Sequence, residues 1–541
     1  MDLNRRELLA VGALTLAGAA LAPPFARGQG TPKRGGTLSL RLWDPPHFDP
    51  HAPGGLSYKL HIALTFSHSR LVKHRAGPGV KPGTFPIEGD LAQSWTQVNE
   101  TTYVFKLRQG VRWHPKPPVN GRELTAEDIV YTVNRFQTTP GNANAFMLQI
   151  VEKVEALDKY TVRFRLKEPF AWFLDALASP MVLAIVAKEC VDKFGDLKKW
   201  ESAVGTGPWM LESYRPNQGL LWVRNPNYFA AGLPYIDRVE AAVDEDNASR
   251  TASFLAGKYD LGWENPGTIN RTDWVQIKDR VKRKVQVAEF PSNVMSHISM
   301  RTDEKPFSDV RVRQAISHAI DRQGIIDATA EGVGVVNPPV PAALLEWTAP
   351  MDKLGDGAKY YKYDPAEAKR LLAAAGYPNG FPASLCFTTY GSTVLVDSMQ
   401  LVLKHLKDVG IDTKLDQKEY GAYISPCFYG KFPSMAYGPQ TPFLEPDTFL
   451  YGQYFPGEPR NQSHINDPAA ADLLVRQRRT GDPAKRREII HELQRYLAAR
   501  QYYVQVPSGV YVAVWDAALK NYGPNLGYDY GGRLLAAWLD R

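Results

Sequence analysis

Alternation of apolar and polar positions marks the strands of this chain. Thr37-Leu38-Ser39-Leu40-Arg41-Leu42 sets a leucine at every second position, the period at which side chains return to one face of a half-buried strand. Thr102 to Arg108, the run through Val162, Phe164 and Leu166, and Leu220 to Arg224 are strand-like as well. Helix starts carry their own signals. Thr125-Ala126-Glu127-Asp128 offers a capping threonine and acids for the positive helix end, and Ile129, Val133 and Phe136 then share an inner face. Asp309 to Ala315 opens a helix with Val312, Ile316 and Ile320 on one side, and Ser249 to Ala256 is a short helix. Asp364-Pro365-Ala366-Glu367 joins a cap, a proline suited to the first helical position and a glutamate placed to reach back; Gly376 ends that helix. Asp482-Pro483 begins another, with Ile489, Leu493 and Leu497 on one face.

Helices and strands are mixed throughout, without the strict alternation of a barrel, an internal repeat or a long linker. The class is therefore α/β, with closely packed units. At 541 residues the chain exceeds one core, and a prior of roughly 150 residues per domain predicts about three units. Ala203-Val204-Gly205-Thr206-Gly207-Pro208-Trp209-Met210 predicts a tight turn feeding a strand, its glycines taking backbone angles closed to other residues.

The N-terminus is a targeting segment. Arg5-Arg6 precedes a short apolar stretch, Leu8 to Ala22, which Pro23-Pro24 stop. This resembles a twin-arginine signal, with a Sec route as the alternative, and cleavage is expected between Ala22 and Gly30. With no cysteine there, no lipid anchor is expected. The net charge of +7 is weak for this length and scattered, so a nucleic-acid surface gains no support. Cys190, Cys386 and Cys427 exclude a dense disulfide framework; one bond is allowed, and buried free thiols are the reading taken.

Catalytic signatures are missing. Gly205-x-Gly207 has Met210 where a dinucleotide loop needs its third glycine, and no phosphate loop or Gly-x-Ser-x-Gly elbow occurs. His491-Glu492-Leu493-Gln494-Arg495 lacks the second histidine of a zinc-protease helix, and Pro50 between His47 and His51 forbids a metal-binding helical pair. Enzymatic activity, a metal site and a cofactor are not expected.

Several segments, taken in order, resemble the family 5 solute-binding proteins of ABC transporters, which include oligopeptide-, dipeptide- and nickel-binding periplasmic proteins. They are Arg34-Gly35-Gly36-Thr37-Leu38, Phe48-Asp49-Pro50-His51, Leu91 to Trp95, Phe105 to Trp113, Leu124 to Val130, Gly205 to Pro208, Arg224 to Tyr228, Val310 to Ala315 and Ala374 to Tyr377. The resemblance implies an α/β two-lobed periplasmic-binding-protein fold with an extra inserted subdomain and a hinged cleft. Residues 1–30 would be the export signal, 31–51, 191–290 and 506–541 the first lobe, 52–190 the insert and 291–505 the second lobe, with hinge crossings near Phe290 to Ser296 and Val504 to Ser508.

It also implies a monomer in the periplasm that captures a peptide or other small organic solute and delivers it to membrane permease subunits. The expected contacts are Gly55, Leu56, Tyr58, Trp263, Tyr437, Gln440, Phe443, Glu445 and Asp447. In peptide-binding members an acid shortly before a Pro-containing segment pairs with the ligand's α-ammonium. Anchored on Glu445-Pro446, that position is Pro442, so a non-peptide solute (a glycoside, an opine-like conjugate or a metal chelate) is the alternative. An exported hydrolase on a similar scaffold is the rival from another class.

Overall fold

The computed structural model describes residues 30–53, 57–142, 144–244, 246–262, 271–389, 392–423, 426–427 and 429–541, so the expected export segment, apart from Gly30, lies outside the described residues. The first lobe is built on a sheet of order Thr37–Leu42, Arg238–Val243, Gly219–Arg224, Trp209–Arg215, its first pair parallel and the others antiparallel. The alternation read from the sequence is realised here: Leu38, Leu40 and Leu42 are buried in one core. Helix Tyr58–Thr65 and C-terminal residues from Val512 to Leu539 complete that core.

A second core carries the antiparallel sheet Ala92–Asn99, Thr102–Leu107, Thr161–Leu166, Val151–Asp158, covered by helix Ala126–Thr138. Its buried residues run from Leu71 to Val204. Packing thus assigns Leu60, Ile62 and Leu64 to the first core, inside the stretch expected to be insert, and leaves Leu197 and Val204 with the insert core.

The third unit is a mixed five-stranded sheet, Ile411–Gln417, Phe381–Phe387, Met435–Pro439, Ser296–Met300, Tyr503–Val506. Helices Val310–Ala319 and Thr393–Asp408 pack into one core with it, and Asp447–Tyr454, Pro468–Arg479 and Pro483–Arg500 form a second. Two strands continue across from the first lobe: Val285–Pro291 pairs with Ser508–Asp516 there, and the chain re-pairs as Ser296–Met300 with Tyr503–Val506 in the second lobe. Among the described residues no helix is long and apolar enough to cross a membrane.

Two local expectations change. Neither Gly205 nor Gly207 has positive φ; a Cβ on Gly205 would sit 1.9 Å from the Ser67 carbonyl oxygen, and on Gly207 2.5 Å from the Ser67 carbonyl carbon. Close backbone approach, not unusual dihedrals, demands these glycines. The expected start of helix Ala126–Thr138 is realised as a capping box: the Thr125 side chain accepts from the Asp128 N–H, and Asp128 accepts from the Thr125 N–H at 2.9 Å. Glu367 turns to Arg370 at 2.6 Å, while Asp364 caps by accepting from the Glu367 N–H at 2.9 Å.

Cys386 and Cys427 form a disulfide, correcting the free-thiol reading, and their Cα atoms lie 6.0 Å apart, within the ordinary span. Cys190 stays free and buried, burial pushing its thiol up to about 12. Closing 41 residues is worth about 4 kcal/mol on a chain-entropy scale. Reduction is therefore expected to lower the calorimetric melting temperature of the second lobe, and an unchanged transition would count against a structural bond.

Four histidines are held neutral by burial. His51 is lowered to about 3, His68 to about 4, and His114 and His297 to about 3. His51 accepts at Nδ1 from Arg135 at 2.7 Å, and Arg135 also pairs with Asp49, tying the His47-to-His51 turn to helix Ala126–Thr138. Groups whose folded pKa lies below the unfolded value of about 6.5 lose their stabilising contribution as pH falls from there toward the folded value. Denaturant titrations at pH 7, 5.5 and 4.5 should show stability falling throughout; a flat profile would contradict these placements.

Candidate functional site

Between the insert and the second lobe lies a cavity of about 40 Å³, room for about three waters. The insert supplies His74 from strand Val72–His74, Met147, Trp172, and Asp175 and Ala176 from helix Phe173–Ala178, followed by Ser179, Pro180 and Met181. The second lobe supplies Pro442, Phe443, Leu444, Glu445 and Thr448, and the C-terminal part of the first lobe supplies Tyr528. Strand Met435–Pro439 ends in proline, and Pro442 and Pro446 each lack the N–H that a continuing ladder needs, so the segment becomes a loop before helix Asp447–Tyr454. Gly527, at φ +85°, lets the C-terminal segment reach this loop: a Cβ there would lie 2.7 Å from Leu444. Asn293, on the crossing between the lobes, donates to the Phe443 carbonyl at 2.9 Å.

Behind the loop runs a buried charge network. Arg486 pairs with Glu445 and donates to Gln477 Oε1 at 3.1 Å; Glu445 also accepts from the Asp447 N–H at 2.7 Å. Burial pushes the Glu445 carboxyl up to about 8, against Arg486 and with the help of the Asp447 and Asp175 carboxylates. Asp447 accepts from Trp172 Nε1 at 3.1 Å and from Gln477, and lies 3.2 Å from Arg478 Nε. The Trp172 bond ties the insert to the second lobe directly beside the cavity. Ala171 N–H to Arg478 O, at 2.7 Å, and an Arg479–Glu168 pair extend that tie. On the cavity side, Asp175 faces His74 Nε2 at 3.4 Å.

Of the expected contacts, Gly55, Leu56 and Trp263 lie outside the described residues. Phe443 and Glu445 line the cavity. Tyr58 stands one ring behind it, stacked on Tyr528 at 5.5 Å. Tyr437 is corrected to a core residue: it is buried against Phe387, and its hydroxyl shares a hydrogen bond with Ser398 at 2.8 Å. Gln440 is spent in a buried network, bonded to His297 at 2.8 Å and Gln453 at 2.9 Å, and Asp447 is spent on Trp172, Gln477 and Arg478. Asp175, His74 and Trp172 were not anticipated; the available signal was a lone carboxylate in the apolar run Phe170 to Leu177. Among the described residues no group of three His, Cys, Asp or Glu could hold a metal ion.

The model of the bacterial extracellular solute-binding proteins, family 5 (middle region), matches residues 86–461. The chain belongs to that family. Heme-binding protein A of Haemophilus influenzae is 29% identical over 392 residues, 68% of this chain and 69% of its own length. The dipeptide-binding protein of Escherichia coli is 27% identical, covering 76% of this chain and 79% of its own. Among solved structures, the periplasmic binding protein DppA of Helicobacter pylori, in complex with the peptide STSA, superposes with a TM-score of 0.74 at 26% identity, over 94% of this chain and 99% of its own. This family 5 protein is thus the solute-binding component of an ABC importer, working with membrane permease subunits, and it has the two-lobed α/β fold of periplasmic binding proteins.

Proposed function

We propose that the chain traps a peptide or a similarly small organic solute in the cavity between its insert and second lobe, and that lobe closure presents the loaded form to the permease. The observation that carries this reading is that three units wall one cavity, so a solute there touches all of them and favours the closed arrangement. The hinge is the pair of crossings 291–296 and 506–508, where strands change sheets without a break in pairing partners. The cavity as it stands is too small for a dipeptide, so loading requires the lobes to part. Boundaries following the cores would give the insert roughly residues 69–204, bounded by the buried residues Leu71 and Val204. The protein is exported to the periplasm through its paired-arginine leader, released without a lipid anchor, and performs no catalysis.

A thermal-shift screen of peptides, oligosaccharides, opines and nickel chelates tests it. A ligand at about 100 times its dissociation constant should stabilise the fold by roughly 2.7 kcal/mol. Turnover of any bound compound at enzyme-like rates would overturn the reading.

A further inference from the structure

We propose that Asp175 selects the charge of the solute, and that the cavity takes the ammonium or guanidinium end of an amphipathic cation. This rests on the cavity being the solute site. No Lys or Arg lines the cavity among the described residues, whereas two carboxylates do. Of these, Glu445 has both oxygens engaged, one by Arg486 and the other by the Asp447 N–H. The nearest cations are committed as well: Arg486 to Glu445 and Gln477, Arg478 to Asp447, and Arg460, which lies 4.9 Å over the Phe443 ring, to the Thr448 carbonyl at 3.0 Å. Asp175 differs. Among the described residues its carboxylate meets only the His74 ring, at 3.4 Å, and its side chain, 36% exposed, lines the cavity.

The remaining wall is apolar, with Trp172, Met147, Met181 and Phe443 framing the space around that carboxylate. A cation brought to Asp175 gains a charge-assisted hydrogen bond in a poorly hydrated site, while an anion meets that negative charge with no Lys or Arg in the lining to offset it. Aromatic and thioether faces suit the apolar body of such a solute; the Phe443 ring already carries Arg460 at 4.9 Å, which leaves Trp172 as the aromatic beside Asp175. Proline at 442 leaves the loop with no free charged group, so selection of charge falls to the insert's helix.

Calorimetric titration of the full chain tests this with matched probes: 4-phenylbutylamine against 4-phenylbutanoate, and the dipeptide Met-Leu against its N-acetyl form. The amine and the unmodified dipeptide should bind at least ten-fold more tightly than their partners. Asp175→Asn should weaken the cationic probes by about ten- to a hundred-fold, with part restored in Asp175→Glu. Tighter binding of the anionic members, indifference to Asp175→Asn, or no binding of either cationic probe at millimolar concentration would overturn the proposal. A Pro442→Trp variant, which fills the cavity from a half-buried loop position, separates the two readings. Binding that survives Pro442→Trp removes the cavity as the site; binding lost there but unchanged in Asp175→Asn removes only the role of Asp175.

Discussion

Arg486→Met will destabilise the second lobe by about 3–5 kcal/mol above about pH 8, where the Glu445 carboxylate is left ionised and buried without its cation. Both side chains are nearly sealed, 4% and 9% exposed, so water cannot replace the lost partner. Arg486 also lies over the Trp347 ring at 4.8 Å, and methionine keeps much of that packing, which makes the lost charge the main effect. The Glu445 carboxyl, raised in the fold, favours its protonated form; that contribution is complete below about pH 4 and is lost as pH rises through about 8. The penalty of Arg486→Met should therefore be larger at pH 9 than at pH 5. Adding Glu445→Gln should recover most of the loss. Denaturant unfolding of the two single variants and the double variant checks this, and a double variant no more stable than Arg486→Met would show that the pair is not the cause.

Gly207→Ala, and still more Gly205→Ala, should cost more than about 4 kcal/mol or prevent folding. The obstructing atoms are backbone atoms of Ser67, which no rotamer change can move aside. The site is pinned on several sides: Gly207 N–H donates to Ser67 O at 2.9 Å, His114 Nδ1 accepts from Gly205 N–H at 3.2 Å, and Asn225 Nδ2 donates to Gly207 O at 3.0 Å. These bonds join the last residue of the insert core, Val204, to the first-lobe strand starting at Trp209. Measurement of soluble yield and melting temperature decides the matter; a fully stable alanine variant would refute the close approach.

Legibility in the sequence followed the kind of signal each element carries. Thr37–Leu42 was readable because Leu38, Leu40 and Leu42 share the buried face while polar Thr37, Ser39 and Arg41 take the other, which writes the period directly into the residues. Ser296–Met300 was not, because it is buried on both faces between Met435–Pro439 and Tyr503–Val506 and shows no alternation. The family was readable from ordered segments, most of which serve turns and cores: the Asp49 turn holds Arg135, and the glycines at 205 and 207 touch Ser67. The cavity was only half readable. Phe443 and Glu445 lie on a loop whose prolines announce it, whereas Asp175 and His74 stand 101 residues apart and meet only through the packing of the helix at 173–178 on the strand at 72–74. Tyr437 misled because an aromatic near a ligand loop and an aromatic under a helix look alike in one dimension.

Small-angle scattering of the chain, with and without a saturating solute found by the binding screen, tests the central claim most directly. Capture between the lobes predicts a smaller radius of gyration in the loaded protein, and loss of that change in Pro442→Trp. A tightly bound solute that leaves the radius of gyration unchanged would contradict closure of the cleft around it.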